Sequence, residues 1–140
     1  MKSIEEFDKL KTKVLKYIIY KKRTEKEIRQ KFCEIDSEEL EEVINHLKEI
    51  GYINDERYVE KAINEFIATK NMSMQEIKMK LLQRGIGKEY IETYFENNYK
   101  KLQEYEISSC KNIIAKKNNT LNEVKLKDYL IKKGYNIEDL

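Results

Sequence analysis

The chain has 140 residues, 39% of them charged and 40% hydrophobic, with a formal net charge of +2 and no proline. That length suits one ordinary domain or a short run of small modules, and a net charge so near zero excludes overall basicity as an argument for nucleic-acid binding. No apolar run approaches membrane-spanning length and the opening MKSIEEFDKLK lacks the apolar core of a leader, so the expectation is a soluble, cytoplasmic chain with no membrane contact.

Taken in order, the spacing predicts a first helix over about Phe7 to Lys22, with Leu10, Val14, Tyr17 and Ile18 on one face. Thr24-Glu-Lys-Glu27 is a capping box, so a second helix starts there with Ile28, Phe32 and Cys33 as its buried stripe. Asp36-Ser-Glu-Glu39 starts a third, which buries Leu40, Val43, Ile44 and Leu47 and stops at Gly51, where a left-handed cap is needed. Gly51 to Tyr58, GYINDERY, reads as a junction in which Asn54 or Asp55 caps the next helix. The fourth helix buries Val59, Ala62, Ile63, Phe66 and Ile67. Ser73-Met-Gln-Glu76 caps the fifth, with Ile77, Leu81 and Leu82 inside and Gly85 closing it. The sixth follows Gly87 and carries Tyr90, Ile91, Tyr94 and Phe95. A seventh opens near Tyr105 with Ile107, Cys110, Ile113 and Ile114; after Asn118-Asn-Thr120 comes a helix holding Leu126, Leu130 and Ile131, and then Gly134-Tyr135. Asn136-Ile-Glu-Asp139 looks like a further helix start. Cys33 and Cys110, with no CxxC spacing, are expected to be reduced, packed thiols.

These elements repeat. VLKYIIYKKRTEKEIRQKF lines up with the chain from Ile63 without a gap at a shift of 49, so that Val14 falls on Ile63, Thr24 on Ser73 and Ile28 on Ile77. Further on, KLKDYLIKKGY matches EIKMKLLQRGI at the same shift. A fixed period of this size marks a helical repeat array, in which no unit buries its apolar face alone. The expected fold is all-α, in tandem three-helix repeats over 1–51 and 52–103 with an incomplete third over 104–140, forming an elongated, curved array.

No catalytic, cofactor-binding or metal-binding constellation is legible, and the chain is not expected to be an enzyme. His46 is the only histidine and reads as a surface residue, while glutamate pairs such as Glu38 with Glu42 arise constantly on exposed helix faces. Residues 1–35 carry an excess of Lys and Arg and residues 36–71 an excess of Asp and Glu. Basic residues near helix junctions, among them Arg23, Lys70, Lys78, Arg84, Lys117 and Lys133, could recur along one side of the array as a stripe for an acidic groove or for phosphates. Compensation of helix dipoles explains about half of such placements on a rough prior.

The ordered set LKEIGYINDERYVEKAI, then Gln83-Arg84-Gly85-Ile86 and a closing KKGY, resembles the RecX family of regulatory proteins over nearly the whole chain. A monomer without cofactor is expected. The resemblance implies tandem three-helix repeats in a curved, elongated body. It also implies a protein of DNA repair and the SOS response that binds the RecA recombinase filament and lowers its ATPase, strand-exchange and co-protease activities. Carried over by position, Arg57 and Tyr58 match the family's Arg-aromatic pair, Arg84 with Gly85 and Ile86 its basic-Gly-Ile segment, and Arg23 its arginine ahead of the second helix. Lys70-Asn-Met-Ser73 departs from the more basic, glycine-rich segment common there, and the third repeat lacks most of its last helix. A module that binds single- or double-stranded DNA directly is the alternative, since three-helix units resemble helix-turn-helix modules.

Overall fold

The computed structural model describes residues 3–136, so Ile137 to Asp139 of the expected last helix start lie outside the described residues. Among the described residues the chain is all-α, without a strand. Its helices are α1 (Ile4–Tyr20), α2 (Glu25–Lys31), α3 (Ser37–Glu49), α4 (Asp55–Thr69), α5 (Met74–Gln83), α6 (Lys88–Asn97), α7 (Tyr99–Lys117) and α8 (Glu123–Lys133). They fall into two compact units, the first made of Met1–Tyr58 with Arg84–Ile86 and the second of Val59–Gln83 with Gly87–Leu140.

In the first unit, apolar residues three and four apart give α1 and α3 their inner faces. Leu10 and Val14 meet Ile28, Leu40, Val43, Ile44, Leu47 and Ile53 in one core. Ser3 caps α1 by accepting from the Glu6 amide at 3.1 Å, which starts the helix a turn earlier than the apolar spacing alone predicts. The Thr24 capping box forms in both directions, with Thr24 Oγ1 accepting from the Glu27 amide at 3.1 Å and Glu27 Oε1 from the Thr24 amide at 3.0 Å. Gly51 has φ +86°, and beyond it the amides of Tyr52 and Ile53 return to the carbonyl of Leu47.

The two cysteines, both expected to be packed, differ. Cys110 is buried, and burial pushes its thiol above the usual range, leaving it protonated and inert. Cys33 is exposed, because α2 ends at Lys31 and the next residue, Phe32, already has non-helical angles; the helical face on which Cys33 was placed is not continued that far. Histidine 46 likewise sits half-buried, its ring edge-on to Phe7 at 5.6 Å between centroids.

Asp55 begins α4 and also reaches α2, where its Oδ1 accepts from the Glu25 amide at 3.2 Å. Burial holds its carboxyl above the ordinary value of 3.8, and the nearby Glu25 carboxylate adds to the rise against the hydrogen bond. The folded chain therefore keeps this proton to higher pH than the unfolded chain, so the ionised group lowers stability above the folded pKa and that loss disappears as pH falls through it. Asp55→Asn keeps an acceptor for the Glu25 amide; its urea midpoint relative to wild type is expected to be most favourable at neutral pH and to converge with wild type in acid. A difference independent of pH would contradict this.

In the second unit Val59, Ala62 and Ile63 of α4, Ile77 and Leu81 of α5, Ile91 and Phe95 of α6, and Leu102 of α7 are buried. Cys110, Ile113, Leu126, Leu130 and Tyr135 join α7 to α8. Leu82 and Ile131, expected inside, are 42% and 56% exposed. Each directly follows the last fully inward residue of its helix, Leu81 or Leu130, and lies about 100° further round, where the inner face ends. Helix α7 starts at Tyr99, earlier than the sequence suggests.

Candidate interaction surface

Much of the buried polar chemistry is committed to two junctions of the same design, one in each unit. In the first, Thr24 Oγ1 donates to the carbonyl of Arg84 at 2.6 Å, and the Glu25 amide finds Asp55 at 3.2 Å. In the second, Ser73 Oγ donates to the carbonyl of Lys133 at 2.8 Å, and the Met74 amide finds the buried carboxylate of Glu106 at 3.1 Å. Both hydroxyl bonds join residues 60 apart in the chain, and both hydroxyls are fully buried. Thr24 and Ser73, Arg84 and Lys133, and Gly85 and Gly134 are related by the 49-residue shift. A capping hydroxyl thus has two tasks: it accepts from an orphan amide of its own helix and donates to a carbonyl at the end of another.

Around the second junction Met72 offers its carbonyl to Tyr105 Oη at 2.7 Å and to Ser109 Oγ at 3.1 Å, and Ser109 Oγ lies 2.5 Å from Tyr135 Oη. Burial raises the phenols of Tyr105 and, further, Tyr135, so both act as hydrogen-bonding hydroxyls and not as acids. Sequence reading missed Ser109 and Glu106. The available signal was their position beside Tyr105 and Cys110 on the inner stripe of a helix, where an unpaired polar group would be costly.

The basic candidates divide by what they touch. Arg23 lies over the Tyr17 ring, its guanidinium carbon 4.3 Å from the centroid, with Nη1 4.0 Å from Glu27. Arg84 donates from Nη1 to the phenol oxygen of Tyr58 at 3.1 Å, so these two members of the expected surface meet each other. Lys133 is held by both oxygens of Glu76, at 2.9 and 2.8 Å. Lys78 is exposed with Nζ 4.7 Å from the centre of the Phe95 ring, and Lys117 stands 5.4 Å from that of Tyr129. Arg57 is exposed. Lys70 is exposed with φ +49°, an angle that glycine adopts more readily, and its carbonyl accepts from Asn112 Nδ2 at 3.0 Å. The backbone there keeps a glycine-like conformation although the residue is lysine.

Among the described residues no group of three or more His, Cys, Asp or Glu side chains could hold a metal ion, and no helix is long and apolar enough to cross a membrane. Helices joined by buried hydroxyl-to-carbonyl bonds, with cationic side chains beside aromatic rings, define the class: an all-helical protein built by tying helix starts to distant helix ends. No family model matches the chain. Regulatory protein RecX of Clostridium beijerinckii is 34% identical over 142 residues, covering 96% of this chain and 66% of that protein. Regulatory protein RecX of Staphylococcus carnosus is 33% identical over 129 residues, covering 89% and 48% respectively. A crystal structure of RecX from Lactobacillus salivarius superposes with a TM-score of 0.79 over 98% of this chain and 93% of that one, at 23% identity, and shares the fold. The chain belongs to the RecX family of regulatory proteins. It spans from about half to 66% of the length of these curated relatives, whose names describe regulators and no enzymatic reaction.

Proposed function

We propose that this chain is a non-enzymatic regulator that binds the RecA recombinase filament as a monomer in the cytoplasm and lowers its ATPase, strand-exchange and co-protease activities. The observation that carries the reading is the 34% identity to regulatory protein RecX across 96% of the chain. A ligand shifts an equilibrium only by its difference in affinity between two states, so the regulator has to bind assembled recombinase better than free subunits. The exposed Arg57, Lys70 and Lys78 supply positive charge for such a contact.

The test is recombinase ATPase on single-stranded DNA with sub-stoichiometric regulator. Inhibition is expected, relieved by Arg57→Glu and Lys78→Glu with helix content unchanged. No inhibition at any ratio by folded protein would remove the reading. Direct DNA binding is the second reading, favoured by those same exposed cations; it requires saturable binding to DNA alone with a steep loss as salt is raised.

A further inference from the structure

Beside α8 lies an open depression of about 450 Å³ lined by Leu121, Lys125, Asp128, Tyr129, Lys132 and Lys133, with a mainly apolar floor. Lys117, at the end of α7, lies over the Tyr129 ring. The charges around it do not balance. Lys132 pairs with Asp128 at 2.9 Å and Lys133 with Glu76, whereas Lys117 and Lys125 have no carboxylate partner among the described residues. An apolar floor inside a cationic rim complements one kind of occupant: a large apolar side chain flanked by carboxylates.

We propose that this depression docks a short acidic peptide segment of a partner protein, with one large apolar side chain against Leu121 and Tyr129 and flanking carboxylates on Lys117 and Lys125. Because the depression is open, it suits a side chain with its backbone lying across the rim better than an enclosed small molecule. A nucleobase stacked on the other face of Tyr129 is the competing occupant, which oligo-dT binding by the same variants distinguishes. The inference deepens the regulatory reading and rests on it for the source of the segment.

The probe is a fluorescent peptide, Glu-Glu-Asp-Phe-Glu-Asp, titrated into the full chain and followed by anisotropy. Saturable binding is expected, weakened about tenfold by Tyr129→Ala, by Lys125→Glu and by serine in place of the peptide's phenylalanine. Raised salt should weaken it as well. Lys125 is exposed, so its variant leaves the fold intact even where Tyr129→Ala does not. No saturable binding to the folded wild type, or wild-type affinity in Lys125→Glu, overturns the proposal. So does a result in which these variants lose an oligo-dT strand and keep the peptide. Filament inhibition without peptide binding removes this inference alone; peptide binding without filament inhibition removes the regulatory reading and leaves the depression a peptide site.

Discussion

Alanine at Gly85 is expected to cost about 2–4 kcal/mol of stability, against about 1 kcal/mol for alanine at Gly51. The backbone angle cannot explain that difference, since φ is +86° at Gly51, +92° at Gly85 and +99° at Gly134. Surroundings do. A Cβ at Gly51 meets nothing within 4 Å, and its cost is the left-handed conformation alone. At Gly134 it would lie 3.0 Å from Ser73 Oγ and 3.1 Å from Gln75 Cβ, contacts that a small shift of the chain relieves. At Gly85 it would lie 2.4 Å from Lys26 Cβ, an atom fixed directly to the α2 backbone and unable to swing aside. The segment 84–86 must then lift, and the bond from Thr24 to the Arg84 carbonyl lengthens or breaks. Urea midpoints should fall in the order Gly85, Gly134, Gly51, with Gly85 the most affected. Equal losses at the three positions would show that conformation, and not close approach, sets the cost.

Removing the Thr24 hydroxyl is expected to be of similar size. Thr24→Val preserves shape in a fully buried position, yet it deletes the acceptor for the Glu27 amide and the donor to the Arg84 carbonyl. A lost cap is worth about 0.5–2 kcal/mol and a buried carbonyl left unpaired about 1–3 kcal/mol, so the sum is about 1.5–5 kcal/mol. Against a total stability on the order of 5–15 kcal/mol, such a loss is visible as a lower Tm. Thr24→Ser, which retains the hydroxyl, should stay within about 1 kcal/mol of wild type. Faster hydrogen exchange at the Glu27 amide in the valine variant, but not the serine variant, would locate the effect. A valine variant as stable as wild type would show that water replaces both bonds. Ser73→Ala is the corresponding substitution in the second unit, where the hydroxyl also serves two partners.

Local chemistry was legible because it is written within a few residues. The Thr24 capping box, the Asp36 cap and the glycine stops at Gly51, Gly85 and Gly134 all depend on neighbours inside one helical turn, and all form. Face assignments held where apolar residues alternate at three and four, as in Leu40, Val43, Ile44 and Leu47. They failed at the margins of a face, at Cys33, Leu82 and Ile131, because exposure there depends on whether another element covers that edge. The candidate surface was less legible than the fold. Lysine and arginine read alike along a chain, whether their partner is solvent or a group such as Tyr58 or Glu76, lying 26 or 57 residues away.

The sequence by itself determined the order of the helices, the caps at Thr24, Asp36 and Ser73, the three left-handed glycines and the 49-residue correspondence between segments, since each follows from the chemistry of residues within a turn of one another or from direct comparison of one stretch with the next. Tertiary structure alone decided which capping hydroxyl reaches which distant carbonyl, that Glu106 and Ser109 are buried with their partners, and which cations remain exposed. The reason is physical. A hydrogen bond or ion pair across tens of residues depends on how helices pack, and packing energy is shared by the whole core, so no short stretch of sequence holds it.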